Sequence, residues 1–162
     1  MEAVSSEPRG LWARRAVMSV LAAIALLALW GFIGQRASES MARANDVTMI
    51  VSGPSTVRGG LYYQVTVDIT TRTDIEDPRL VLDEGWWEGM QVNSIEPAPE
   101  SEAPRDGRVV LTYAPLAAGD RLKIWFQFQV DPTSTGRRSH AIELDDEVRP
   151  LVRVDRELTV LP

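Results

Sequence analysis

A Ser-His-Asp triad needs a histidine base, and this chain of 162 residues has one histidine, His140. No Gly-x-Ser-x-Gly turn is present to lift a nucleophile out of a sheet. His140 shares parity with Ile142 and Leu144, which makes it a strand residue at a core margin rather than a base. The absence of cysteine excludes thiol catalysis, disulfides, thiolate zinc sites and a lipid-modified Cys. Gly59-Gly60 is too short to cradle a phosphate and precedes a strand pattern, so a hairpin turn accounts for it. With 23 acidic residues, chance carboxylate pairs are expected, and none stands out. No catalytic residue and no cofactor are expected.

Acidic clusters raise the question of calcium. Asp74, Glu76 and Asp77 lie in one loop, and Asp145, Asp146 and Glu147 in another. Oxygen-rich loops suit a hard cation, but neither follows the Asp-x-Asp-x-Asp-Gly pattern. Solubility and charge repulsion account for them, and no metal ligand set is assigned.

Three tryptophans carry the interaction signal. Trp86 and Trp87 are adjacent, so in a strand-like segment they point to opposite faces. Trp125 alternates with Gln127 and Gln129 on what reads as a wet face. An exposed indole marks a protein or lipid contact, whereas a packed one plugs the core. Trp86, Trp87 and Trp125 are therefore the candidate interaction surface, with burial of either member of the pair left open.

The elements that must position them begin with a membrane segment. A run of twenty residues, opening at Ala16 and closing at Gln35, holds no charge. Such a helix spans roughly 30 Å, the thickness of a bilayer's hydrocarbon core. Nine of the twenty are Leu, Ile, Val or Phe, so insertion is favoured by a few kcal/mol, about 0.3–0.6 for each. Trp12 and Trp30 flank the run at interfacial positions. Arg9, Arg14 and Arg15 precede it, and only Arg36 and Arg43 follow closely, so residues 1–15 read as a cytoplasmic tail and the rest as exported. A cleavable signal peptide is the rival reading, with Ala42-Arg43-Ala44 as its small-x-small site and Asn45 as the new N-terminus. The apolar run is longer than the roughly 7–15 residues of a signal peptide's apolar h-region, which favours an uncleaved anchor.

Residues 36–45 read as a polar tether, and residues 46–162 as an exported domain. Beyond the tether, alternation takes over. Leu61, Tyr63, Val65, Val67 and Ile69 share one face, and Leu122, Ile124, Phe126, Phe128 and Val130 another. Shorter strands are expected at 47–51, 79–83, 91–95, 108–113, 139–144 and 152–160, separated by turns such as Gly119-Asp120 and Asp131-Pro132. About seven to eight antiparallel strands over this length predict an all-β immunoglobulin-like sandwich preceded by one N-terminal transmembrane helix.

Particular residues also carry a resemblance. Leu116-Ala117-Ala118-Gly119-Asp120, then a polar-alternating strand, Val130-Asp131-Pro132 and Gly136, is similar to the last third of conserved-repeat, cell-adhesion-related domains of bacterial surface proteins. Val57-Arg58-Gly59-Gly60, Gly89-Met90 and Ser94-Ile95-Glu96-Pro97 fall in the same order upstream, so the resemblance spans most of residues 47–145. It implies an immunoglobulin-like extracellular module, structural or adhesive, with Trp86 and Met90 plugging one end. Some relatives carry a Lys–Asn isopeptide bond; the one lysine, Lys123, falls on the expected solvent face, so no such bond is expected.

Charge narrows the partners. The net charge of −6 divides into +2 over residues 1–36 and −8 over residues 37–162, which disfavours nucleic acid. The expectation is a non-enzymatic, single-pass membrane protein, N-terminus cytoplasmic, held in the lipid bilayer by residues 16–35. Its exported sandwich binds an unidentified membrane or surface protein, for instance as an accessory subunit of a larger membrane protein. Sixteen arginines against one lysine resemble the codon bias of a GC-rich bacterium. The competing readings are a secreted or tethered carbohydrate-binding module, stacking sugars on the three tryptophans, and a carboxylate-using hydrolase.

Overall fold

The computed structural model describes residues 8–29 and 36–162. The chain divides into two compact units, Met1–Gly34 and Gln35–Pro162.

The first unit contains helix α1 (Pro8–Leu29). Pro8 opens it, where a missing N–H and a fixed φ cost nothing. The helix therefore begins eight residues before the expected span and takes in Arg14 and Arg15. Val17, Met18, Val20, Leu21, Ile24 and Leu26 are all exposed, on every side of the helix. Among the described residues no helix is long and apolar enough to cross a membrane. The expected span closes at Gln35, and its residues 30–35 lie outside the described residues.

The second unit is an antiparallel β-sandwich. In chain order its strands are β1 (Ala37–Ala44), β2 (Val47–Pro54), β3 (Thr56–Arg58), β4 (Tyr62–Thr71), β5 (Pro78–Leu82), β6 (Met90–Glu96), β7 (Ser101–Arg105), β8 (Arg108–Thr112), β9 (Arg121–Val130), β10 (Gly136–Ser139), β11 (Ile142–Asp146), β12 (Arg149–Val154) and β13 (Glu157–Leu161). One five-stranded sheet runs β1-β2-β4-β9-β6, a second runs β12-β11-β5-β8-β7, and a small third sheet, β10-β13-β3, stands beside them. Strand β3 joins β13 in parallel. The inward residues of the first sheet, among them Met49, Val65, Ile124 and Phe126, meet Leu80, Leu82, Leu111 and Ile142 of the second in one fully buried core.

The long alternating strands form as expected apart from one end, and two of the shorter ones are interrupted. Leu61 precedes β4 and is 46% exposed, although its carbonyl still accepts from the Val130 N–H. The stretches expected as single strands at 139–144 and 152–160 each break in two, at His140-Ala141 and at Asp155-Arg156. The first break takes the chain from the third sheet to the second, and the other takes it back.

The largest correction concerns the expected tether. Residues 37–44 are strand β1, paired with all of β2 from Ala37 opposite Pro54 to Ala44 opposite Val47. Asn45 and Asp46 close the hairpin with φ of 49° and 62°, the left-handed pair of a tight primed turn. Strand β1 needs no apolar pattern: Ser38, Ser40 and Ala42 are half-buried and small enough to lie at the sheet margin. Main-chain hydrogen bonds do the rest.

Candidate interaction surface

The outward face of the first sheet is built from the alternate residues of β4, β9 and β6. Register sets them in rows: Tyr62 opposite Gln129 opposite Gln91, Gln64 opposite Gln127 opposite Ser94, and Thr66 opposite Trp125 opposite Glu96. Trp125 is 37% exposed, and the Lys123 ammonium lies 5.2 Å from its ring centroid. That contact is a cation–π interaction on an open face. Beside it the Arg121 guanidinium pairs with Asp68 across the β4–β9 ladder, and holds the Asp68 carboxyl below its usual range. The face is thus an amide-rich plane with Tyr62 at one corner and Trp125 in the middle of the far row.

Trp86 leaves the candidate surface. It closes the 3₁₀ turn η1 (Glu84–Trp86), not a strand, so strict alternation does not govern the pair. Its ring is fully buried against Phe126 at 5.3 Å and Phe128 at 5.8 Å, and its Nε1 donates to the Ala141 carbonyl at 2.9 Å. Gly85 must be glycine, because a Cβ there would lie 2.0 Å from the Ser139 carbonyl oxygen. Trp87 is half-buried against the same core, with its Nε1 enclosed. Met90 is also half-buried, its sulfur accepting from the Tyr63 hydroxyl at 3.6 Å. Of the three tryptophans, Trp125 alone presents a wide face to solvent.

His140 is not a margin residue. It lies between β10 and β11, 1% exposed, with its ring stacked on Trp86. Burial, and then the charges of Arg156 and Arg138, push its pKa down to about 3, so the ring is neutral. No nucleophile contacts it through a hydrogen bond among the described residues.

Arg156 is the residue sequence reading missed. Flanked by Asp155 and Glu157, it reads as one more surface charge, yet it is 8% exposed. Its guanidinium donates to the carbonyls of Val51 (2.9 Å) and Gly53 (2.8 Å) and to the Ser38 hydroxyl (3.2 Å). It ties β1, the end of β2 and the β12–β13 link together. A depression of about 590 Å³, lined by Ser38, Ser40, Ser55, Ser139 and the acidic side chains of Asp155 and Glu157, opens beside it.

The acidic loops are occupied by protein donors. Asp74 accepts from the Ala118 N–H at 2.7 Å, Asp77 pairs with Arg79, and Asp146 accepts from the Asp77 N–H at 3.1 Å. Asp145 is buried against Arg105 at 3.2 Å. Among the described residues no group of three or more His, Cys, Asp or Glu side chains could hold a metal ion.

The fold thus defines an antiparallel β-sandwich domain. No family model matches the chain, and no curated protein does. Among solved structures it is similar to the CARDB domain of a Pyrococcus furiosus protein. In the crystal structure of that domain in complex with di-metal ions, identity is 13%, 76% of this chain and 95% of that one are covered, and the TM-score is 0.47. In its solution structure the values are 13%, 72%, 94% and 0.46. The C-terminal domain of wzt is also similar, at 13% identity over 80% of this chain and 81% of that one, with a TM-score of 0.46.

Proposed function

We propose that this chain is a single-pass membrane protein whose exported β-sandwich, immunoglobulin-like in type and non-enzymatic, binds another membrane or surface protein. The observation that carries the anchor is α1 itself: its large apolar side chains are exposed all round. After Arg15 the helix carries no charge on any side, as in a core or a bilayer, and the uncharged run of residues 16–35 supports the bilayer. The arginine excess before that run supports a cytoplasmic N-terminus.

Trp125 supports the binding role. An indole held on an open sheet face, with a lysine against it, is the kind of anchor around which protein interfaces form. Purification of the full chain from its native host in mild detergent, beside a Trp125→Ala form, tests the reading. A co-purifying protein retained by the native chain and lost with the variant supports it. Monomer alone, under every gentle condition, counts against it.

A second reading has its own observation. The glutamines at 64, 91, 127 and 129 beside Tyr62 and Trp125 are the neutral hydrogen-bonding and stacking groups a glycan uses. The carbohydrate platform proposed on this basis rests on Trp125 and Tyr62, since Trp86 is buried. Glycan binding by the native chain, abolished by Tyr62→Ala, would favour it over a protein partner.

A further inference from the structure

The edge of a sheet offers unpaired N–H and C=O groups to any second chain, and proteins blunt such edges. The edge strands here are β1 and β6, β12 and β7, and β10 and β3. Strand β6 bulges between Val92 and Ser94, β7 carries Pro104, and β12 carries Pro150. Strands β10 and β3 are only four and three residues long. Strand β1 has none of these devices. Its eight residues pair with β2 without a register shift and include no proline and no lysine. Strand β12 packs against β1 and β2 alike, so it lies beneath both and leaves the far edge of β1 open.

The Asn45–Asp46 turn decides which groups face that edge. In a two-residue primed hairpin the flanking pair, Ala44 with Val47, exchanges both main-chain bonds, and the pairs alternate from there. Glu39, Met41 and Arg43 therefore stand in non-bonded pairs with β2 and turn their own N–H and C=O groups outward. Their side chains share the outer face of the sheet and are all exposed, Met41 at 68%. Among the described residues Glu39 takes only the Ser52 hydroxyl, at 3.3 Å, and Arg43 takes no carboxylate.

We infer that β1 pairs with β1 of a second copy of this chain, antiparallel, about a two-fold axis at Met41. Only outward-turned residues can meet across the seam, so neighbouring registers differ by two residues. The register centred on Met41 sets Glu39 of each copy opposite Arg43 of the other, and Met41 opposite Met41. Registers centred on Ser40 or Ala42 set Met41 opposite a charge instead. Opposite charges facing each other across strands stabilise a pair, and like charges oppose it. Ile50, half-buried beside Met41, extends the apolar strip on both sides of the seam. The pairing joins two five-stranded sheets into one of ten strands. Glu39, Ser52, Thr66 and Trp125 form one row, so both copies of Trp125 fall on one continuous face, roughly 35 Å apart by strand spacing. The pairing involves the second unit alone and needs neither the anchor nor the partner proposed above.

The full chain in mild detergent, its mass measured by light scattering across a dilution series, tests this. The native chain should be a dimer that dissociates on dilution. Both charged sites are exposed, so their substitution spares the fold. Glu39→Arg and Arg43→Glu should each raise the dimer dissociation constant at least about tenfold, because each sets like charges opposite one another twice. Mixing the two variants restores opposite charges at every pair, and should bring the constant back to within about threefold of the native value. The chain has no native cysteine, so oxidation of a Met41→Cys chain should link it to itself, and a Val148→Cys chain should not follow. A native chain that is monomeric throughout overturns the inference. So does a dimer that persists in both charge variants, a mixture no tighter than its components, or equal linking at 41 and 148.

Discussion

His140 lies flat on Trp86, ring centroids 3.9 Å apart and 9° from parallel. The indole in turn donates to the carbonyl of Ala141, the residue after its stacking partner. Two bonds of different kinds therefore clamp η1 to the link between β10 and β11, and close one end of the core. Burial, with Arg156 and Arg138 nearby, disfavours a charged imidazole in this clamp.

That preference sets a pH dependence. The folded-state pKa of His140 is lowered to about 3, against 6.5 for an ordinary histidine. The unfolded chain therefore takes up a proton that the folded chain refuses, so stability is complete above pH 6.5 and is lost as pH falls toward 3. Between pH 6 and 5, where few carboxylates have protonated, the single histidine sets a slope that steepens from about 1.0 toward a limit of about 1.4 kcal/mol per pH unit. Denaturant unfolding across pH 5.0–7.5 should show that slope in the native chain and a flat line in His140→Phe. An equal slope in both would refute the assignment.

Arg156 should be indispensable despite having no carboxylate partner among the described residues. Arg156→Met leaves the Val51 and Gly53 carbonyls without their donor in a buried site, which costs about 2–4 kcal/mol. Arg156→Lys should recover little of it, since one ammonium cannot reproduce a fork reaching two carbonyls and a hydroxyl. Urea midpoints of the two variants check this, and full recovery by lysine would contradict it.

Trp125→Ala should separate stability from binding. The side chain covers the sheet's wet face, so its loss should move stability by no more than about 1 kcal/mol. Trp86→Ala is the contrast, a fully buried ring whose removal costs about 3–5 kcal/mol. Calorimetry and partner retention, measured on the same preparations, distinguish the two.

Cleavage after Ala44 should not occur in the folded protein. It would strip β1 from β2, expose a long strand edge and remove the Ser38 hydroxyl from Arg156. N-terminal sequencing of the native protein is expected to find no chain starting at Asn45. A fragment that begins there should aggregate, or unfold at lower urea than one that begins at Arg36.

How much of this was legible depended on whether side chains or main chain carried the information. Strands β4 and β9 announce themselves through Tyr63–Ile69 and Ile124–Val130, because each must show one apolar face to the core. Strand β1 does not, because an edge strand of Ser, Ala and Glu is held by backbone bonds that have no side-chain signature. Trp86 and Trp87 were ambiguous under strand parity, and η1 resolves them by placing both rings toward the core to different depths. Arg156 carried no local signal at all: its acceptors are more than a hundred residues away in sequence. Trp125 was readable, since its neighbours Lys123 and Gln127 share its parity and are exposed.

Strand β1 also has a mechanical meaning. A pull delivered at Ala37 along the strand axis cannot peel β1 away one bond at a time, because its eight pairings with β2 lie side by side along the direction of load. They must slide together, in shear, and Arg156 bolts the loaded end to the neighbouring strand. A domain joined in this way passes a load on the sandwich into its N-terminal segment without first lengthening.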